Sequence, residues 1–156
     1  MKERTIIIGI GNPILGDDAA GLHVARILKK MIRGENVTIK ESSEGSFDIV
    51  EEIIGFDKAI IVDTIQSENL PKGKIVKLTP NNLKENVHLV NLHDIDMMTA
   101  LKIYEETMPE KLPREIIIYA ITTDRSKAFS EKMSSEVENA VNKLAKTLLK
   151  EVSEVD

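Results

Sequence analysis

Three unbroken apolar runs constrain this chain more than anything else in it: Ile6-Ile7-Ile8, Ala59-Ile60-Ile61-Val62 and Ile116-Ile117-Ile118. A strand with one wet face alternates apolar and polar residues. A continuous β-branched run belongs to a strand covered on both faces. Val37-Thr38-Ile39-Lys40 and Lys74-Ile75-Val76-Lys77-Leu78 mix charges into the pattern, as edge strands do. Strands are therefore expected over 5–10, 36–41, 57–63, 74–79 and 115–121, with the first, third and fifth central and the second and fourth at the edges. Helices are expected over 18–32, 46–55, 94–107 and 133–152. Such alternation places a sheet between helical layers. The stretch 65–72, with Asn69-Leu70-Pro71, carries too few helix signals for a right-handed crossover, so strand four is expected to run antiparallel.

The last helical segment reads as scaffold. Met133, Val137, Ala140, Val141, Leu144, Leu148 and Leu149 form an apolar stripe at helical spacing. Ser134 or Ser135 is expected to cap its start.

The segment most loaded with chemistry is Gly9-Ile10-Gly11-Asn12-Pro13-Ile14-Leu15-Gly16-Asp17-Asp18, which joins the first strand to the first helix. A glycine turn at that place usually holds an anion, because free backbone N–H groups and the positive helix end attract one. Here the turn brings two acids of its own. One is explained as a cap of the helix start; the pair points to a place that collects a cation. A dinucleotide fingerprint would need a third glycine where Ile14 stands, and Asp17 and Asp18 would repel a pyrophosphate, although Glu41 would fit the ribose-binding acid.

With strands one and three adjacent, their carboxyl ends border the crevice where ligands of open α/β sheets bind. Asp63, in Ile60-Ile61-Val62-Asp63-Thr64, ends the third strand at that crevice; alone it reads as a turn-capping residue. Of three histidines, His23 lies inside the first helix as a surface or packing residue, and His88 sits in a polar loop without a sequence partner. His93 precedes a helix in Asn91-Leu92-His93-Asp94, where a turn or capping role is the ordinary reading. If its loop reaches the crevice, two carboxylates and one imidazole make an O,O,N set suited to a divalent transition metal with open positions.

Composition excludes several classes. The chain has 156 residues and no cysteine, so disulfides, thiol nucleophiles and thiolate metal sites are absent. A net charge of -5 with scattered Lys and Arg argues against nucleic-acid and anionic-membrane surfaces. One domain over 1–156, monomeric and cytoplasmic, is expected, with neither a secretory signal nor a membrane span. The abundance of Lys, Glu and Ile hints at a thermophile.

At this point the sequence resembles the [NiFe]-hydrogenase maturation endopeptidases, which remove a C-terminal extension from the hydrogenase large subunit after nickel insertion. The resemblance rests on the Gly9-Ile10-Gly11-Asn12 turn, the acid pair Asp17-Asp18 followed by Gly21, the Asp of Ile61-Val62-Asp63, and the His before a helix, His93. It spans essentially the whole chain. It implies a three-layer α/β/α sandwich around a five-stranded mixed, mostly parallel sheet of order 2-1-3-5-4, strand four antiparallel, in agreement with the central and edge patterns. It also implies that Asp18, Asp63 and His93 contact nickel and carry the reaction, with the family filed among aspartic-type peptidases. The nickel is expected on the substrate, a large-subunit precursor, and no nucleotide cofactor is expected. Two stretches depart from the family pattern: Glu41-Ser42-Ser43-Glu44-Gly45, where many members have Asp-Gly-Gly, and Thr122-Thr123-Asp124, where many have an acid or amide with a Pro.

Without Cys and without a recognisable Ser–His pair, covalent catalysis has little support, and no pepsin-like carboxylate dyad is evident. Two other readings stand beside the endopeptidase: a nucleotide-binding, dehydrogenase-like domain, and a metal-binding regulatory module without catalysis.

Overall fold

The computed structural model describes residues 3–43, 47–67, 69–85, 92–124 and 132–153, with side chains at all of these except 47–48, 83–85 and 92–96. Five strands form one sheet: β1 (Thr5–Ile10), β2 (Val37–Ser42), β3 (Lys58–Gln66), β4 (Ile75–Leu78) and β5 (Glu115–Thr123). Their order is β2-β1-β3-β5-β4. All neighbours are parallel except β4, which runs antiparallel to β5. The helices are α1 (Ala20–Met31), α2 (Phe47–Ile53), α3 (Pro80–Glu85), α4 (Leu92–Thr107) and α5 (Ser135–Ser153).

The apolar runs behave as double-sided strands must. Ile7, Ile60, Val62, Ile117, Tyr119 and Ile121 face one way and pack with Val24 and Leu28 of α1 and with Val137, Val141, Leu144 and Leu148 of α5. Ile6, Ile8, Ala59, Ile61 and Ile118 face the other way, against Ile49, Val50 and Ile53 of α2 and Met97, Ala100 and Leu101 of α4. Adjacent isoleucines thus feed opposite cores, each fully buried side chain contributing about 1.5–3 kcal/mol relative to exposure. Among the described residues no helix is long and apolar enough to cross a membrane.

Several boundaries differ from the sequence reading. β3 and β5 run to Gln66 and Thr123, beyond the expected 63 and 121, because they pair in register over all nine positions from Lys58↔Glu115 to Gln66↔Thr123. The first helix begins later: residues Gly16–Ala19 form a separate 3-10 turn, and α1 starts at Ala20. The six-residue α3 had no expected counterpart. Its start is a reciprocal cap, in which the Asn82 N–H donates to Thr79 Oγ1 at 3.3 Å and Asn82 Oδ1 accepts from the Thr79 N–H at 3.1 Å, with Pro80 first in the helix.

The connection from β1 to α1 is set by close backbone approach. A Cβ on Gly9 would strike the Gly21 carbonyl oxygen and Ala25, and one on Gly21 would strike the Ile10 and Val62 carbonyl oxygens. This glycine contact seats α1 directly on β1 and β3, so its preceding turn lies over the carboxyl edge of the sheet.

Candidate functional site

β1 leaves the sheet at Ile10, and its pairing with β3 stops at Gly9↔Val62. β3 continues, so Asp63 and Thr64 stand just beyond the end of β1. The crossovers on either side of β1 pass over opposite faces, through α1 to β2 and through α2 to β3, which makes this a topological switch point. Alternation along β3 sends Asp63 to the α2/α4 face, in phase with Ile61, and Thr64 to the α1/α5 face, in phase with Val62.

The turn above them is tightly wound. Gly11 N–H donates to Ser42 O at 3.0 Å, tying the turn to the end of β2, and Asn12 Oδ1 accepts from the Ile14 N–H at 3.2 Å. Asp18 N–H donates to Leu15 O at 2.7 Å, and Asp18 O accepts from Asn12 N–H at 3.2 Å. Gly11 fits under this turn because a Cβ there would lie 2.5 Å from Asp18 O.

The two acids diverge. Asp18 is exposed, and its Oδ1 accepts from the Thr64 hydroxyl at 2.9 Å. That bond places the Asp18 carboxylate one residue along the chain from Asp63. Asp63 is half-buried, and its Oδ1 accepts from the Thr64 N–H at 2.7 Å. Thr64 therefore binds both acids, one through each of its donors. Nothing in its local sequence marked it as part of the site.

Asp17 turns away, and the helix start it serves is that of α5. Its Oδ1 accepts from the Ser134 N–H at 2.7 Å and the Ser134 hydroxyl at 3.0 Å, and its Oδ2 lies 2.9 Å from the same hydroxyl. The expected caps of α5 also act otherwise: Ser134 donates its hydroxyl to Asp17, and Ser135 donates its own to Glu136 at 2.7 Å. A carboxylate gains more at the positive end of a 19-residue helix than at a single 3-10 turn.

The side chain of His93 lies outside the described residues, as does all of His88. The backbone of α4, which includes residue 93, packs on the face towards which Asp63 points. The helix ends beside the 3-10 turn Pro109–Lys111, whose Lys111 O accepts from Gly55 N–H at 3.1 Å near the start of β3. Its 16 residues, at about 1.5 Å each, span the height of the sheet, so its first turn lies towards the carboxyl edge. Among the described residues, a set that leaves out His93, no group of three or more His, Cys, Asp or Glu could hold a metal ion.

Glu41, the candidate ribose acid, is engaged elsewhere. Its carboxylate accepts from Lys29 Nζ and Arg26 Nε, each at 2.8 Å, and these bonds hold it below the usual carboxylate range. His23 is half-buried on α1. Burial, with the Arg26 charge adding, lowers its pKa from the ordinary 6.5, against the opposing pull of Glu138 and Glu41.

The departing stretch at the end of β5 has a structural occupation. The fully buried Thr122 donates its hydroxyl to Pro71 O at 2.7 Å and accepts from Lys74 N–H at 2.8 Å, fastening the β3–β4 connection.

The hydrogenase maturation protease family model matches residues 22–151. The chain belongs to this family. The matched span includes Asp63 and His93 and begins just after the turn that carries Asp18. Among solved structures, the hydrogenase maturating endopeptidase HybD from E. coli superposes with a TM-score of 0.82 at 19% identity, covering 97% of this chain and 93% of that one. The [NiFe] hydrogenase maturation protease HycI from Thermococcus kodakarensis KOD1 gives 0.75 at 25% identity over 96% and 92%. HybD from Thermococcus kodakarensis gives 0.72 at 24% identity over 94% and 97%. No curated protein matches the chain. As a hydrogenase maturation protease the protein is a peptidase, and its mixed sheet with an antiparallel β4 is the fold of these neighbours.

Proposed function

We propose that this protease removes the C-terminal extension of a [NiFe]-hydrogenase large-subunit precursor once nickel is in place, and that Asp18, Asp63 and His93 recognise the precursor's nickel. The observation that carries this reading is Thr64, whose hydroxyl binds the Asp18 carboxylate and whose N–H binds Asp63, tying both acids to one residue at the carboxyl edge of the sheet. The direction of α4, with residue 93 in its first turn towards the same edge, supports the third member.

The donor chemistry fits a metal delivered by the substrate. Soft thiolates on the precursor hold Ni²⁺ firmly, and two carboxylates with an imidazole would complete its shell only when the precursor is docked. Binding thereby checks that nickel is loaded. Hydrolysis then proceeds by a water positioned at the scissile carbonyl or polarised by the substrate's metal, which supplies several kcal/mol of charge stabilisation. In this reading the two aspartates are metal contacts, not a dyad sharing one proton. The same reading has the chain act as a monomer in the cytoplasm, away from the membrane and nucleic acid. The dehydrogenase-like alternative loses its ribose acid to the Arg26 and Lys29 pair.

Incubating nickel-loaded precursor with the parent protein, Asp18→Asn, His93→Ala and His23→Gln tests the assignment. The parent and His23→Gln shorten the precursor, whereas Asp18→Asn and His93→Ala leave it intact. Cleavage by both site variants at the parental rate would overturn the trio. Binding without shortening by the parent would leave a metal-binding module in place of a protease site.

A further inference from the structure

We infer that Asp17 is a positioning residue, which holds Asp18 in place by clamping the site turn to the amino end of α5. The inference rests on the reading of Asp18 as a contact to the substrate's metal. Asp17 and Asp18 are consecutive in one 3-10 turn of four residues, and each is tied to a different distant element. Asp18 reaches Thr64 across 46 positions of sequence, and Asp17 reaches Ser134 across 117. A 3-10 turn has poorer internal hydrogen-bond geometry than the α-helix it leads into. Three contacts of 2.7 to 3.0 Å from Ser134 to one carboxylate add a restraint from outside the turn.

The abutment is itself fixed. Val137, one turn into α5, is fully buried in the core. A Cβ on Gly73, in the β3–β4 connection, would lie 2.6 Å from Glu136 O, and Lys72 Nζ stands 3.4 Å from Glu136 Oε2. The first turn of α5 thus meets the β3–β4 connection on one side and the site turn on the other. A turn pinned at Asp17 to such a point, and at Asp18 to β3, presents the Asp18 carboxylate in one orientation. Without the clamp the turn keeps its bonds to Ser42 and Thr64 but loses its anchor on α5, and Asp18 meets the metal less often in the geometry that β3 sets.

A purely structural cap would also matter to α5, so the test reads coupling to Asp18. The affinity of nickel-loaded precursor is measured for the parent, Asp17→Ala, Asp17→Asn, Asp18→Asn and the Asp17→Ala/Asp18→Asn double variant. Asp17→Ala is expected to weaken binding about 10- to 100-fold, the usual effect of misplacing a contacting group. Asp17→Asn keeps an oxygen acceptor for Ser134 and stays within about threefold of the parent. The double variant binds no more weakly than Asp18→Asn alone, because Asp17 acts through Asp18. Ser134→Ala, which removes two of the three contacts and no charge, gives the same coupling where Asp17→Ala fails to fold. Parental affinity in Asp17→Ala, or losses that multiply in the double variant, would overturn the positioning role and leave the metal contact standing. Parental affinity in Asp18→Asn would sink the metal contact itself, and the positioning role with it.

Discussion

The hydroxyl of Thr64 donates to Asp18 Oδ1 at 2.9 Å while its backbone N–H donates to Asp63 Oδ1 at 2.7 Å, so one residue ties two acids from separate elements. Thr64 is almost fully buried, whereas the Asp18 side chain it holds is open to solvent. A donor fixed in the sheet thus steers an acceptor at the surface. Thr64→Val keeps the shape and removes the hydroxyl. It should slow precursor processing while shifting stability by about 1 kcal/mol, the ordinary worth of one hydrogen bond. Thr64→Ser restores the donor and should recover most of the activity. Parental cleavage rates in Thr64→Val would show that the bond to Asp18 is irrelevant to the reaction.

The glycine contact between α1 and the sheet yields a stability prediction. In Gly21→Ala the new methyl meets the Ile10 and Val62 carbonyl oxygens, both backbone atoms of central strands. Relief requires α1 to lift from the sheet, and the cost is about 3 kcal/mol or more. Chemical denaturation would measure it, and a loss below about 1 kcal/mol would contradict the close approach.

The protein as purified should carry little or no metal. Two carboxylates and an imidazole form an incomplete shell, and affinity rises only with the ligands a precursor brings. Elemental analysis should find substoichiometric nickel and zinc after a chelator wash. Stoichiometric, chelator-resistant metal would make the protein an ordinary metallopeptidase.

His23 predicts a pH effect. Its folded pKa lies below 6.5, first through burial and then through the Arg26 charge. The unfolded chain therefore takes up the proton more readily, and stability attached to neutral His23 is complete above pH 6.5. It is lost as pH falls through the folded value. Denaturation curves between about pH 8 and pH 5 should be flatter for His23→Gln than for the parent. An NMR titration placing His23 above 6.5 would reverse the sign.

How much of this was legible in the sequence depends on the range of the interaction. Ile6-Ile7-Ile8 and its counterparts revealed the central strands because double-sided burial leaves no polar position in the run. The charged strands β2 and β4 revealed the edges for the complementary reason. The ends of β3 and β5 were misread because Thr64, Gln66, Thr122 and Thr123 look like turn residues alone, and only mutual pairing extends them. The helix α3 was not foreseen, because six residues are too few to show a helical period. Of the candidate site, Asp18 and Asp63 stand out by their local motifs. Thr64 and Ser134 were not, since a hydrogen bond across 46 or 117 residues leaves no trace in spacing. Asp17 serves the start of a helix that lies 117 residues away in sequence.

In the proposed function this site inspects nickel on its substrate. The measurement that tests it most directly compares cleavage of one precursor, nickel-loaded and nickel-free, by the same preparation of protein. The loaded precursor should yield a shortened product and the nickel-free one none, with Asp18→Asn inactive on both. Equal cleavage of the nickel-free precursor would contradict it, because Asp18, Asp63 and His93 would then have no metal to recognise.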